Sequence, residues 1–249
     1  MKVAGARILV VGGVHRLGGA LALDLAAHGA AVCVSSRTAG EEADAQVGAL
    51  RAAGAPLAAA ATGDVRRPAA AASLVAAAAA VLGGLDGLVY AASGPFVPRP
   101  PEAVDEASWD ASLDTIAKGF FFTAVAARRR FVADGATGGV IVAITDYLGL
   151  QPWTAFAAHG AAKAAQIHLV KELARAWAVD GVRVCGVAPG PVDLGDDEHR
   201  AATLRAAAKV AAERLVAPAD IGAAVRFCLE TDAMTGVNVV VDNGSLVMS

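Results

Sequence analysis

Residues 159–163 read HGAAK, a histidine and a lysine four positions apart among small residues. On a helix that spacing is one turn, so His159 and Lys163 share a face. An imidazole changes charge close to neutral pH and can give or take a proton without a helper cation. A lysine beside it would add a positive charge and three N–H donors. The pair therefore has the chemistry of a proton donor next to a cationic anchor. Two unrelated side chains on an ordinary helix would show the same spacing.

A second constellation lies near the start of the chain. The strand-like run RILVV (7–11) is followed by VGGVHRLGGA (11–20). Glycines at a strand-to-helix turn let the backbone approach a pyrophosphate, and the helix N-terminus offers unpaired N–H groups and positive potential. A tight turn that uses glycine only for its dihedral freedom would read alike. The next strand-like run ends in Ser35, Ser36 and Arg37, with no acid to take ribose hydroxyls. A guanidinium there suits a 2′-phosphate, so the expected dinucleotide is NADP(H) rather than NAD(H).

These residues need a scaffold, and the hydrophobic pattern supplies one. Short apolar runs occur at 7–11, 31–35, 56–61, 87–92, 139–144, 182–188 and 237–241. They are continuous rather than alternating, which is the mark of strands buried on both faces of a parallel sheet. Between them lie segments long enough for crossover helices, at 18–28, 41–53, 69–82, 103–133 and 156–179. The alternation predicts a doubly wound α/β sheet with helices on both faces. No linker, repeat or charge block divides residues 1–249, so one domain is expected. The more polar stretch 193–217 reads as an insertion over the ligand crevice. Its Leu204, Ala208, Ala211 and Leu215 are spaced for one face of a helix.

Composition narrows the function. The 249 residues are 56% hydrophobic and 18% charged, with a net charge of −3, so nucleic acid is not an expected partner. Arg128, Arg129 and Arg130 suit a solvated helix end. Cys33, Cys185 and Cys228 lack paired or metal-ligand spacing and are expected to be buried free thiols, with no metal site, in a reducing cytoplasmic setting. The alanine-rich run 69–82 is too short to cross a membrane, and Met1-Lys2 leads directly into a strand-like segment rather than a secretory leader.

Taken in order, the motifs resemble the short-chain dehydrogenase/reductase family over nearly the whole chain. VGGVHRLG is similar to its glycine motif, GDV (63–65) to its adenine-holding turn, and YAASG (90–94) stands at its asparagine-rich strand end. HGAAK aligns with its Tyr-x-x-x-Lys, VAPGPV (187–192) with its Pro-Gly loop, and VVVDNG (239–244) with its closing strand. The resemblance implies a Rossmann-type fold and cofactor contacts from Gly12, His15, Arg16, Leu17, Gly18, Ser36, Arg37, Asp64, Val65, Ala92, Lys163, Pro189 and Gly190. A narrower resemblance is to pteridine-reductase-like members, which carry an arginine like Arg16 in the glycine motif. They also place aspartate, here Asp146, where most of the family has its catalytic serine. Phe96 stands one position from their pterin-stacking aromatic. Family members are mostly tetramers, so a homo-oligomer, tetramer or dimer, is expected.

The departures fall on proton delivery. His159 replaces the catalytic tyrosine, Ile116 the helix asparagine, and Tyr90-Ala91 the Asn-Asn pair. The resemblance gives the ribose contact to Lys163, and His159 with Asp146 become the expected proton system of a reductase acting on a C=O or C=N bond. An imidazole is shorter than a phenol by roughly one hydroxyl, so substrate or water must sit closer. Tyr147 is an alternative phenol, although the neighbour of Asp146 on an extended segment points to the opposite side. His15 is read as contacting phosphate or solvent, and His28, His168 and His199 as solvated or packed. Two other readings remain open: an NADP(H)-binding protein without turnover, and a lyase or isomerase using His159 and Asp146 as an acid–base pair.

Overall fold

The computed structural model of the protein describes residues 1–133, 138–195 and 210–248. Its centre is a seven-stranded parallel sheet formed by β1 (Arg7–Val11), β2 (Ala31–Ser36), β3 (Ala58–Thr62), β4 (Gly87–Tyr90), β5 (Gly139–Ile144), β6 (Val182–Pro189) and β7 (Asn238–Val241). The spatial order is β3-β2-β1-β4-β5-β6-β7. The chain builds outward from β1 to β3 and then returns to lay β4 on the other side of β1. That reversal opens a crevice beyond the carboxyl ends of β1 and β4, the place where such sheets bind ligands.

The strands are apolar throughout because each face is covered. In β1, Ile8 and Val10 enter one core with α1 (Arg16–Ala27), α2 (Glu41–Ala52) and α7 (Pro218–Glu230). Leu9 and Val11 enter the other with α3 (Pro68–Leu82), α5 (Gly119–Ala133) and α6 (Ala157–Trp177). Every residue of β5 is buried. At about 1.5–3 kcal/mol for each fully buried large aliphatic side chain, this double layer is the main source of stability. All three cysteines are free and buried. Among the described residues no helix is long and apolar enough to cross a membrane.

The structure corrects several expected boundaries. β3 starts at Ala58 rather than Pro56, and β4 stops at Tyr90. The single helix expected over 103–133 is three pieces. Asp105 caps a separate α4 (Glu106–Leu113), accepting from the Ser108 N–H at 2.8 Å. A wide π-type turn, Asp114–Lys118, joins α4 to α5, and the Tyr90 hydroxyl donates to the Thr115 carbonyl inside it at 2.5 Å. Such a turn within a helix commonly accompanies a functional site. The helix expected over 193–217 falls mainly outside the described residues, including Leu204, Ala208 and His199. Its far end is not helical: Ala211 and Leu215 lie in turn and irregular structure, where Glu213 has φ +50°. Of the arginine cluster, Arg129 and Arg130 are exposed, while Arg128 pairs with Asp180 at 2.6 Å.

Candidate active site

β5 and α6 meet at the sheet's carboxyl edge. After Ile144 the chain leaves the sheet through Thr145 and Asp146, makes one tight turn at Tyr147–Gly149, and enters α6 at Ala157. Asp146 holds that turn, because its Oδ1 accepts from the Leu148 N–H at 2.9 Å. Its Oδ2 lies 3.0 Å from Nε2 of His159. His159 is 5% exposed, and its Nδ1 is buried with no hydrogen-bond partner among the described residues. The Phe96 ring meets the imidazole edge-on at 4.9 Å and stacks on Phe156 at 4.3 Å. The sequence thus brings together Asp146 and His159, thirteen residues apart, with one ring nitrogen engaged and the other buried without a partner among the described residues.

Lys163 sits one turn further along the same face. Its ammonium donates to the Ile144 carbonyl at 2.7 Å and to Gln166 Oε1 at 3.3 Å. Burial pushes its pKa down to about 8, against the opposing pull of the Asp146 carboxylate. Tyr147 does not supply a phenol: its ring is buried against Trp153 at 5.8 Å, and burial followed by the Asp146 charge raises its pKa. Ile116, where the family's asparagine would stand, is fully buried.

The dinucleotide end is shaped by close backbone approach. Gly12 has φ +73°, and a Cβ there would lie 3.0 Å from the Ala92 backbone. A Cβ on Gly18 would collide with the Gly12 carbonyl oxygen. Leu17, half-buried, packs on the core, and His15 caps α1 through its backbone with no side-chain cap bond. The first-turn N–H groups of α1 therefore have no side-chain competitor for an anion. Arg16, at φ +48°, and Arg37 are both exposed, with no acid partner among the described residues. Ser36 donates its hydroxyl to the Thr38 carbonyl, and the His15 ring lies 3.3 Å from exposed Glu42. Val65 is buried, and Gly190 lies against the backbone of Asp242 where a Cβ would not fit, next to buried Pro189. A glycine cradle and a helix start without a side-chain cap bond fit the phosphates of a dinucleotide.

Asp64 stands at the turn after β3 and is ion-paired. Both its oxygens are engaged by Arg66, at 2.6 and 2.9 Å, which holds its pKa down at about 2. An adenine contact there would be shared with that guanidinium.

The family described as enoyl-(acyl carrier protein) reductase matches residues 13–245. The 3beta-hydroxysteroid dehydrogenase 1 of Eggerthella lenta is 32% identical, covering 96% of this chain and 93% of that protein. A short chain dehydrogenase from Burkholderia cenocepacia, solved in complex with NADP, superposes with a TM-score of 0.86 at 28% identity, covering 99% of this chain and all of the other. A 7 alpha-hydroxysteroid dehydrogenase, solved with NADH and 7-oxo glycochenodeoxycholic acid, gives 0.86 at 25% identity, with 98% and 95% covered. The chain belongs to the short-chain dehydrogenase/reductase family.

This short-chain dehydrogenase/reductase also contains site residues that motif reading passes over. Trp153 and Phe156 build the aromatic wall beside His159, and Gln166 is the second acceptor for Lys163. Gln166 could have been found by its i+3 spacing from Lys163. The two aromatics belong to a loop whose course no local pattern gives. Phe156 and His159 stand in the wall of a cavity of about 110 Å³ between the 95–104 segment, α4 and the start of α6. His28, held by the Asp24 carbonyl, and exposed His168 take no part in these contacts.

Proposed function

We propose that the protein is an NADP(H)-dependent oxidoreductase that interconverts a C=O or C=N bond of a small molecule with its reduced form, with the His159–Asp146 pair moving the proton. One observation carries this reading: Nε2 of His159 is held by a carboxylate while Nδ1 is buried and, among the described residues, unpaired. With Nε2–H donated to Asp146, Nδ1 accepts a proton from an alcohol when the ring is neutral. When the ring is protonated, Nδ1–H donates to a carbonyl oxygen. A bound nicotinamide would exchange the hydride. Lys163 has a third N–H beyond those given to Ile144 and Gln166, available for a ribose hydroxyl. Arg16, Ser36 and Arg37 would hold the 2′-phosphate, Asp64, Val65 and Ala92 the adenine side, and Pro189 with Gly190 the nicotinamide side.

The test is absorbance of NADPH, and of NADH in parallel, with a panel of ketones, aldehydes, 3-oxoacyl thioesters and pterins. Turnover that favours NADPH, with the preference reduced in Arg37→Ala, is the expected result. Cofactor binding without consumption across the whole panel would overturn the enzymatic reading in favour of a binding protein. Product formation without net change in cofactor would point to a lyase or isomerase.

A further inference from the structure

The cavity beside His159 is selective by virtue of what its polar groups are already doing. Most of its wall is apolar, from Val97 and Val104 to Phe156. Two hydroxyls line it, but both are committed. Ser112 donates to the Ser108 carbonyl at 3.1 Å, and Ser108 donates to the backbone and carboxylate of Asp105. Two side chains of its wall carry further polar groups: His159, whose Nδ1 is buried and has no hydrogen bond among the described residues, and Arg99, whose partly exposed guanidinium faces Asp105. Arg99 makes no side-chain hydrogen bond among the described residues. Its Nη1 makes a loose ion pair, 3.8 Å from Oδ2 of Asp105, whose other oxygen caps α4. The backbone N–H of Arg99 donates to the Ala155 carbonyl at 2.8 Å, which ties the arginine's segment to the loop that leads into α6.

We propose that this cavity is an anion-terminated ring subsite. Resting on the oxidoreductase reading above, it assigns the substrate class as a small cyclic carbonyl or alcohol that carries a carboxylate or similar acid. The cavity of about 110 Å³ is smaller than the apolar cavity of about 150 Å³ that takes benzene, but it is open on one side, where the substituents of a seated six-membered ring would project. Phe156, held from outside the cavity by its stack on Phe96, stands in the wall beside that ring. The reacting oxygen pairs with Nδ1 of His159, and the acid pairs with Arg99, whose fork suits a carboxylate.

The test compares 4-formylbenzoate with benzaldehyde, which carry the same reacting group and differ only in the acid. With NADPH, wild-type kcat/KM is expected to favour the carboxylate at least tenfold. Arg99→Gln should collapse the preference to within about twofold, mainly through KM. Asp105→Asn keeps an N-cap but removes the competing charge, so it should widen the preference. Calorimetry with benzoate and with benzyl alcohol gives a readout free of turnover: benzoate should bind more tightly, and Arg99→Gln should erase the difference. Turnover of both aldehydes with no preference, or a preference that survives Arg99→Gln, overturns the subsite and leaves the oxidoreductase reading intact. Arg99-dependent benzoate binding with no turnover of any carbonyl supports the subsite and sinks that reading. Absence of benzoate binding overturns the subsite outright.

Discussion

Oδ2 of Asp146 holds Nε2 of His159 at 3.0 Å, and Nδ1 of the same ring is buried without a partner among the described residues. A buried polar atom without a hydrogen bond costs about 1–3 kcal/mol, so a fold that carries one is most economical where a ligand completes it. The carboxylate–imidazole arrangement fixes the ring's orientation and its tautomer together, as in acid–base sites on unrelated folds. Here one carboxylate oxygen also caps the Tyr147–Gly149 turn, so backbone and ring are positioned by a single side chain.

If Nδ1 is the proton-bearing atom, the two directions of reaction must respond oppositely to pH. Carbonyl reduction needs the protonated ring and should slow as pH rises. Alcohol oxidation needs the neutral ring and should quicken. His159→Gln keeps a polar side chain but cannot exchange a proton, so both slopes should flatten, with kcat reduced roughly 10²- to 10⁴-fold. Steady-state pH profiles in both directions check this. Slopes that survive in the variant would assign the proton to another group.

Asp146→Asn separates positioning by charge from positioning by shape. An amide oxygen can still accept from the Leu148 N–H, so the turn and the urea unfolding midpoint should change little. Removal of the carboxylate permits the wrong tautomer and leaves an imidazolium uncompensated, and kcat should fall by a factor on the order of 10² or more. Parallel kinetics and denaturation distinguish this from simple unfolding.

The sheet was legible because its strands are buried on both sides. A run such as VIVAI in β5 has few other places to go, and seven such runs separated by helix-length segments leave little topological freedom. Helix breaks were less legible. Nothing in the local pattern of 103–133 announces the π-type turn, which is stabilised from a distance by the Tyr90 hydroxyl on Thr115. At the site, His159, Lys163 and Asp146 could be named from spacing and resemblance, but not which imidazole nitrogen would be engaged. The Arg66 grip on Asp64 and the Phe96–Phe156 stack are contacts between side chains whose directions only the folded backbone sets.

Gly18→Ala tests the cofactor cradle. A Cβ there would meet the Gly12 carbonyl oxygen, a backbone atom that cannot swing aside, so either the turn or α1 must shift. Overpacking of this kind costs about 1–3 kcal/mol. The expected outcome is a lower thermal midpoint together with weakened dinucleotide binding by calorimetry. A variant with native stability and native cofactor affinity would show that the glycine turn is not the phosphate cradle.

Lys163 gives a prediction in stability rather than rate. Its folded pKa is lowered to about 8 from the ordinary 10.5, chiefly by burial. Between those values the unfolded chain binds more protons than the folded one, so stability rises with pH across the window. Below about pH 8 both states are protonated and the full penalty of burying the cation applies. Above 10.5 both are neutral and the penalty is gone. At about 1.4 kcal/mol per pKa unit, the change across the window is about 3 kcal/mol. Lys163→Met keeps an unbranched side chain of similar length and removes the titration. The difference in unfolding free energy, wild type minus variant, should climb from pH 8 to 10.5 and be flat from pH 6 to 7.5. Other titrating groups cancel in that difference, provided the variant leaves their surroundings unchanged. A flat difference through pH 10.5 would mean that Lys163 keeps its proton in the folded protein as readily as in the unfolded chain, and that its bonds to Ile144 and Gln166 offset the burial.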